Sequence, residues 1–426
     1  TRHERTHRWP SFLPGGKDFL YFSRSSFGGV EREEDALVVA SLDGKLTKRL
    51  MPAKGNVSFA SGYLIYLREK TLMAQPFDLK SLEASGEGTP IAEPVEYDLG
   101  YNRAVYSVSQ NGILVYQSSG TQAGYQLQWF DRIGKLAGSI AEPGDYGYVA
   151  LSPDGRRVAF DIYDAQSRNR DVWLFDLARG LKTRFTFDPS VDEAPVWSPD
   201  GSRLVFHSDR KGHIDLYQKT TSGAGVEEIL FESPFPKTPF DWSSDGRFIS
   251  YGTTDQKTKS DLWVLPLEGE KKPFVFLQTD FDEGPGLFSP DTRWMAYLSN
   301  ESGTFELYIR PFIGADGKIA VNQTRKWQVS ANGVANSSAI RWSRDGKQLY
   351  YVSSDNKMTA ADIRAEGETI EIGTLTPLFE MPSQGLSYFA DLTADGKQFL
   401  LASAVGGHSS PPLTLVTNWT EELKKK

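Results

Sequence analysis

The chain has 426 residues, more than one ordinary hydrophobic core supports, so it holds several domains or a repeat array. With 47 Lys and Arg against 55 Asp and Glu, its net charge of −8 gives no basic field to draw nucleic acid or an anionic membrane surface. Cysteine is absent, which excludes disulfides, thiolate catalysis and Cys-ligated zinc, and no apolar run reaches the roughly 18 to 20 residues of a membrane-spanning helix.

An apolar strand, a turn ending in Gly and a second apolar strand recur from the start of the chain. The first copies are WPSFLPGGKDFLYF at Trp9, SFASGYLIYL at Ser58 and YSVSQNGILVY at Tyr106. The clearest follow as VALSPDGRRVAF from Val149, PVWSPDGSRLVF from Pro195 and FDWSSDGRFISY from Phe240. Three more are GLFSPDTRWMAY from Gly286, IRWSRDGKQLYY from Ile340 and FADLTADGKQFLL from Phe389. The turn position falls at Gly16, Gly62, Gly112, Gly155, Gly201, Gly246, Thr292, Gly346 and Gly396, a period near 47. A fixed period of about 40 to 50 residues built from short strands marks a propeller array.

Each period reads as four strands. In Ser198-Pro199-Asp200-Gly201, Pro presets φ, Asp bonds local backbone N–H groups and Gly accepts the left-handed conformation. Third strands follow as DVWLFDL from Asp171, DLY from Asp215, DLWVLPL from Asp261 and ELYIRPF from Glu306. Fourth segments are KTRFTF from Lys182, EEILF from Glu227, PFVFLQ from Pro273 and RKWQVS from Arg325. Helical periodicity is confined to the stretch near Thr420 to Lys426, so the fold class is all-β, a β-propeller of four-stranded blades spanning residues 1–426. Repeats begin near 9, 56, 105, 148, 194, 239, 285, 339 and 387. Because closure removes exposed sheet edges, a single ring of eight or nine blades is favoured, with Thr1 to Arg8 giving an outer strand to the last blade. The alternative is a six-bladed ring from about Tyr146 to Trp419 with the three earlier repeats apart from it.

The combination of WSPDG, SDR and DLY within one period resembles the TolB-like, or WD40-like (PD40), propeller repeat. The order TLMAQPFD from Thr71, LQWFDRIGK from Leu127, SRNRDVWLFDLARG from Ser167, KTKSDLWVLPLEG from Lys257 and VTNW from Val416 resembles more narrowly the C-terminal propeller of bacterial membrane serine/threonine kinases. That resemblance implies a sensor part held outside the cytoplasm, periplasmic or extracellular, tethered by an upstream membrane span. The N-terminus has neither Met nor a signal peptide, so the chain reads as a soluble excerpt. It contains no Gly-rich phosphate loop, HRD-type loop or DFG, so no phosphotransfer is expected of it.

Other chemistry is equally hard to place. No G-x-S-x-G nucleophile elbow occurs, so a peptidase-like propeller would need its catalytic part elsewhere, and the turns lack the sialidase S-x-D-x-G pattern. Of five His, only His207 and His213 are near one another, without the spacing of a metal-binding helix. The Asp of SPDG and of DLY recurs too regularly to be one active site. Trp197, Trp242 and Trp342 before the turns, and Trp173 and Trp263 in third strands, are assigned to packing rather than to a ligand platform. The expectation is therefore a non-catalytic binding propeller with no cofactor and no metal. Its alternatives are a TolB-like periplasmic assembly scaffold or a propeller enzyme of glycan or peptide breakdown.

The loops entering the inner strands vary as a site requires. They place Asp145, Tyr146, Asp192, Glu193, Lys237, Asp282, Glu283 and Asn336 at one channel mouth. This mainly acidic set predicts a funnel for a basic peptide, an amine or a cation, against the alternative of solvated loop tips. Expected partners are a protein, peptide or small-molecule ligand there, with no nucleic acid and no direct membrane insertion, the chain itself being monomeric.

Overall fold

A computed structural model describes residues 6–423, apart from 25–34, 99–101, 119–124, 165–168, 223–224, 256–258, 314–317, 321–324, 336–339, 383–389 and 405–412. The regular secondary structure of the described residues is almost entirely antiparallel strand, with one short helix at Trp419–Leu423. The chain divides into two compact units: Thr1–Ala123 with Gly406–Lys426, and Gly124–Val405.

In the first unit, strands Thr6–Phe12, Asp18–Arg24, Ala36–Ser41 and Thr47–Pro52 form one four-stranded sheet in chain order. A second sheet is built on Val57–Ala60, Tyr63–Arg68 and Thr71–Asp78. The third joins Tyr106–Val108 and Ile113–Gln117 to Leu413–Thr417 from the chain's far end. Trp419, 1% exposed, packs edge-on against Tyr63 with ring centroids 5.9 Å apart. Residues Thr6 to Arg8 pair with Arg24 to Phe22 of their own sheet instead of completing the last blade.

The described residues of the second unit form six four-stranded sets. Four are separate sheets, whose inner strands are Asp192–Trp197, Lys237–Trp242, Glu283–Phe288 and Arg341–Trp342. The remaining two share the long strand Leu136–Leu151 in a seven-stranded sheet. Its second half pairs with Arg157–Asp164 to open the first set, as in Val149↔Phe160. Its first half pairs with Tyr125–Asp131, as in Leu127↔Ile140. Tyr125–Asp131 in turn pairs along its whole length with Gln398–Ala404, from Tyr125↔Ala404 to Asp131↔Gln398. The sixth set is thus made from both ends of the unit. This departs from the favoured single ring: the edges that ring was invoked to remove are already paired inside residues 124–405.

The recurring turn explains itself in hydrogen bonds. Ser152, Ser198, Ser243, Ser289, Ser343 and Thr393 each donate a hydroxyl hydrogen to the Asp two residues on, at 2.6 to 2.7 Å. Each hydroxyl also accepts the N–H five residues on, closing the hairpin. The fourth turn residue is left-handed in every copy, and Thr292 takes φ 58° where its counterparts are Gly. Between the turns, neighbouring sets share their cores. Ala159, Val172 and Phe185 of the first pack with Trp197, Leu204, Phe206 and Tyr217 of the second. Each such large side chain buried contributes about 1.5 to 3 kcal/mol.

Candidate functional site: an axial cavity in the second unit

The six inner strands of this unit line one cavity of about 580 Å³. Its walls are the later parts of those strands and the turns after them, from Tyr148 to Gly155 in the first set to Asp391 to Ala394 in the sixth. Aligning the repeats on the turn Ser or Thr resolves the lining into layers. The residue after it gives Pro153, Pro199, Ser244, Pro290, Arg344 and Ala394. Two residues before it stand Ala150, Val196, Asp241, Leu287, Arg341 and Asp391. Three charged residues therefore interrupt an otherwise apolar layer.

These charged groups tie adjacent sets together. Asp241 Oδ2 accepts the N–H of Phe288 in the next set at 2.8 Å. Asp391 Oδ2 accepts that of Leu151 at 2.7 Å, joining the sixth set to the first, while its Oδ1 accepts Leu392 N–H at 2.8 Å. Arg341 donates from Nε to Asp391 Oδ1 at 3.3 Å and from Nη1 to the Ile340 carbonyl at 2.8 Å. Burial pushes the Asp241 carboxyl up to about 7, against the pull of backbone N–H groups and Arg341. Arg344 is exposed and makes no hydrogen bond, ion pair or ring contact among the described residues. Trp197, Trp242 and Trp342 have their indole N–H groups committed to the carbonyls of Ala150, Gly246 and Leu287. They pack as expected, yet they also form part of the cavity wall.

The residues expected to rim an acidic mouth lie elsewhere. None of Asp145, Tyr146, Asp192, Glu193, Lys237, Asp282 and Glu283 lines this cavity, and Asn336 lies outside the described residues. Asp192 is 0% exposed and receives Arg210 Nη2 at 2.9 Å; burial pushes its carboxyl up to about 6. Asp145 and Glu193 both pair with Arg170, at 2.8 and 3.3 Å, and Arg170 also holds buried Asp161 at 3.0 Å. Glu193 reaches His207 Nε2 at 3.1 Å, which accounts for that His, whereas His213 is exposed. Lys237, 1% exposed, donates to Asp215 at 2.6 Å and to the carbonyls of Ser233 and Phe235.

Tyr146 is buried edge-on against Phe160, and Asp282 accepts from Asn300 Nδ2 at 3.0 Å. Glu283 is buried, accepts from Thr279, and is pushed up to about 7 by burial. These residues are thus mostly engaged in ion pairs and hydrogen bonds within and between sets, many of them buried. Charge on these loops follows from the need to pair cations and N–H groups that burial strips of water. The cavity residues Asp241, Arg341, Arg344 and Asp391 escaped the sequence reading because it compared loops; their signal was charge at one aligned inner-strand position.

Repeated four-stranded antiparallel sheets of this kind define a β-propeller fold. Residues 132–319 match the family described as PD40, the TolB beta propeller domain. A solved structure of putative TolB from Agrobacterium tumefaciens superposes over 67% of this chain and 99% of its own, with TM-score 0.51 and 15% identity, which shows the fold. In sequence, the chain is 27% identical to the uncharacterized peptidase YuxL of Bacillus subtilis over 36% of its length. It is 31% identical to an uncharacterized protein of Agrobacterium fabrum over 34% of its length. These matches span 29% and 52% of those two relatives.

Proposed function

We propose that this chain is a non-catalytic propeller whose axial cavity binds a ligand. The observation that carries this is the lining: a cavity of about 580 Å³ in which apolar side chains such as Ala150, Val196 and Leu287 face the same space as charged and hydroxyl groups, within the size range of small-molecule sites. Both inner carboxylates accept backbone N–H groups, which favours a structural and binding role for them over proton transfer. In this reading the occupant is the signal of a sensor working outside the cytoplasm, a role resting on the resemblance to receptor-kinase propellers. The test is a thermal-shift screen with free amino acids, N-acetyl amino acids and sugar acids, run on wild type and on Val196→Phe, which narrows the cavity. Stabilisation of wild type by a compound that fails to stabilise the variant supports the proposal. Equal stabilisation of both, or turnover of the compound, contradicts it. A second reading draws on the peptidase relative, with the propeller serving a catalytic part carried elsewhere. It predicts peptide binding without hydrolysis by this chain alone.

A further inference from the structure

The cavity has apolar and charged parts. Tyr148, Ala150, Val196 and Leu287, with Pro153 and Pro199, are its apolar lining from the first, second and fourth sets, while the third set contributes Asp241. The fifth set contributes Arg341 within and Arg344 at the turn, three residues apart on one strand end. The acids nearby are already engaged. Asp391 is filled by two backbone N–H groups and Arg341, Asp241 accepts the N–H of Phe288, and Asp154 at the rim accepts from Ser152 and the N–H of Arg156. Arg344 stands apart among the described residues: a guanidinium at the edge of an apolar pocket with none of its donors used by them. Its planar donor fork matches a carboxylate in two parallel hydrogen bonds.

Resting on the cavity as the binding site, we propose that its ligand is a small carboxylate whose apolar body lies against the proline and tryptophan wall and whose charge is met by Arg344, with Arg341 deeper in. The available volume fits a body about the size of an acylated amino acid or a dipeptide. An aromatic or branched side chain suits the wall, and a highly hydroxylated sugar does not, because the wall offers few free hydrogen-bonding groups.

The test uses a matched pair of probes, N-acetylphenylalanine and N-acetylphenylalaninamide, which differ only in the carboxylate. Saturation-transfer NMR titrations are run on the full chain, on Arg344→Gln, on Arg344→Lys and on Val196→Phe. The acid is expected to bind wild type, with the amide at least about tenfold weaker, the scale of a charge-assisted bond. Arg344→Gln lowers affinity for the acid about fivefold or more and leaves the amide unchanged; Arg344→Lys restores part of the loss. Absence of binding by the acid, or indifference of its affinity to Arg344→Gln, overturns the proposal. Equal binding of acid and amide, abolished by Val196→Phe, overturns the carboxylate assignment while sustaining the cavity. Binding of both probes that Val196→Phe leaves intact overturns the cavity as well.

Discussion

Gly147 tests the buried ion network of the second unit without touching any charged residue. A Cβ built on it would stand 1.6 Å from Asp161 Oδ2 and 2.8 Å from Arg170 Nη1, so Gly147→Ala forces the carboxylate to move. Asp161 is 0% exposed, and its Oδ1 accepts Tyr148 N–H at 2.9 Å and Ala194 N–H at 3.2 Å. Its Oδ2 takes Arg170 Nη1 at 3.0 Å. One methyl group therefore breaks a buried ion pair and uncaps two N–H groups on neighbouring inner strands. Breaking a buried pair costs about 3 to 5 kcal/mol. Hydrogen exchange read by mass spectrometry on peptides covering 144–151 and 192–197 is the assay. It should show protection reduced by roughly two orders of magnitude or more, at 1.4 kcal/mol per tenfold. Gly201→Ala is the comparison. Its Cβ meets only Pro153 Cδ at 3.8 Å, so it costs just the left-handed backbone term, about 1 to 2 kcal/mol. If Gly147→Ala lowers protection no more than Gly201→Ala does, the network does not hold the sets together as described.

Three further outcomes follow from the same geometry. Asp192→Asn removes the charge that faces Arg210 in a site with no exposure, and should lower stability by on the order of 3 kcal/mol in urea unfolding; a neutral or stabilising result would restore the solvated-rim reading. Glu283 has its carboxyl raised by burial from 4.5 to about 7, so the folded state holds its proton more tightly than the unfolded chain. Its contribution is fully present below pH 4.5 and is lost as pH rises to about 7. Glu283→Gln should therefore stabilise the protein above pH 7, by on the order of 1 to 3 kcal/mol, and flatten the pH dependence between those values. An unchanged slope in pH-dependent unfolding would contradict this. Ser198→Ala deletes one hydroxyl that donates to Asp200 and receives Arg203 N–H, and should cost about 1 to 2 kcal/mol by thermal unfolding.

Much of the fold was legible because it is written in local chemistry that repeats. Ser198 to Gly201 states a turn whatever the rest of the chain does, and the third strands read from Asp171, Asp215, Asp261 and Glu306 lie in strands Asn169–Asp176, Asp215–Thr220, Lys259–Pro266 and Glu306–Pro311. What could not be read locally was which ends join. The pairing of Tyr125–Asp131 with Gln398–Ala404 links segments more than 260 residues apart, and neither segment carries a sequence mark of its partner. The partners of the expected site residues were hidden for a related reason. Asp192, Glu193 and Lys237 look like solvated loop charges in one dimension, yet their cations arrive from elsewhere in three: Arg210 for Asp192, Arg170 for Glu193, with Asp215 receiving Lys237. Conversely, Asp241 and Arg341 sit on inner strands of which only the tryptophans were weighed, and the alignment of repeats separates cavity positions from core there.

Ligand binding at the end of the inner strands bounded by the turns is tested most directly by a crystal structure with N-acetylphenylalanine bound. The aromatic ring should lie between Pro153, Pro199 and the tryptophan wall, with the carboxylate within hydrogen-bond distance of Arg344. A ligand found instead beside Asp192 and Glu193, with the axial cavity empty, would contradict it.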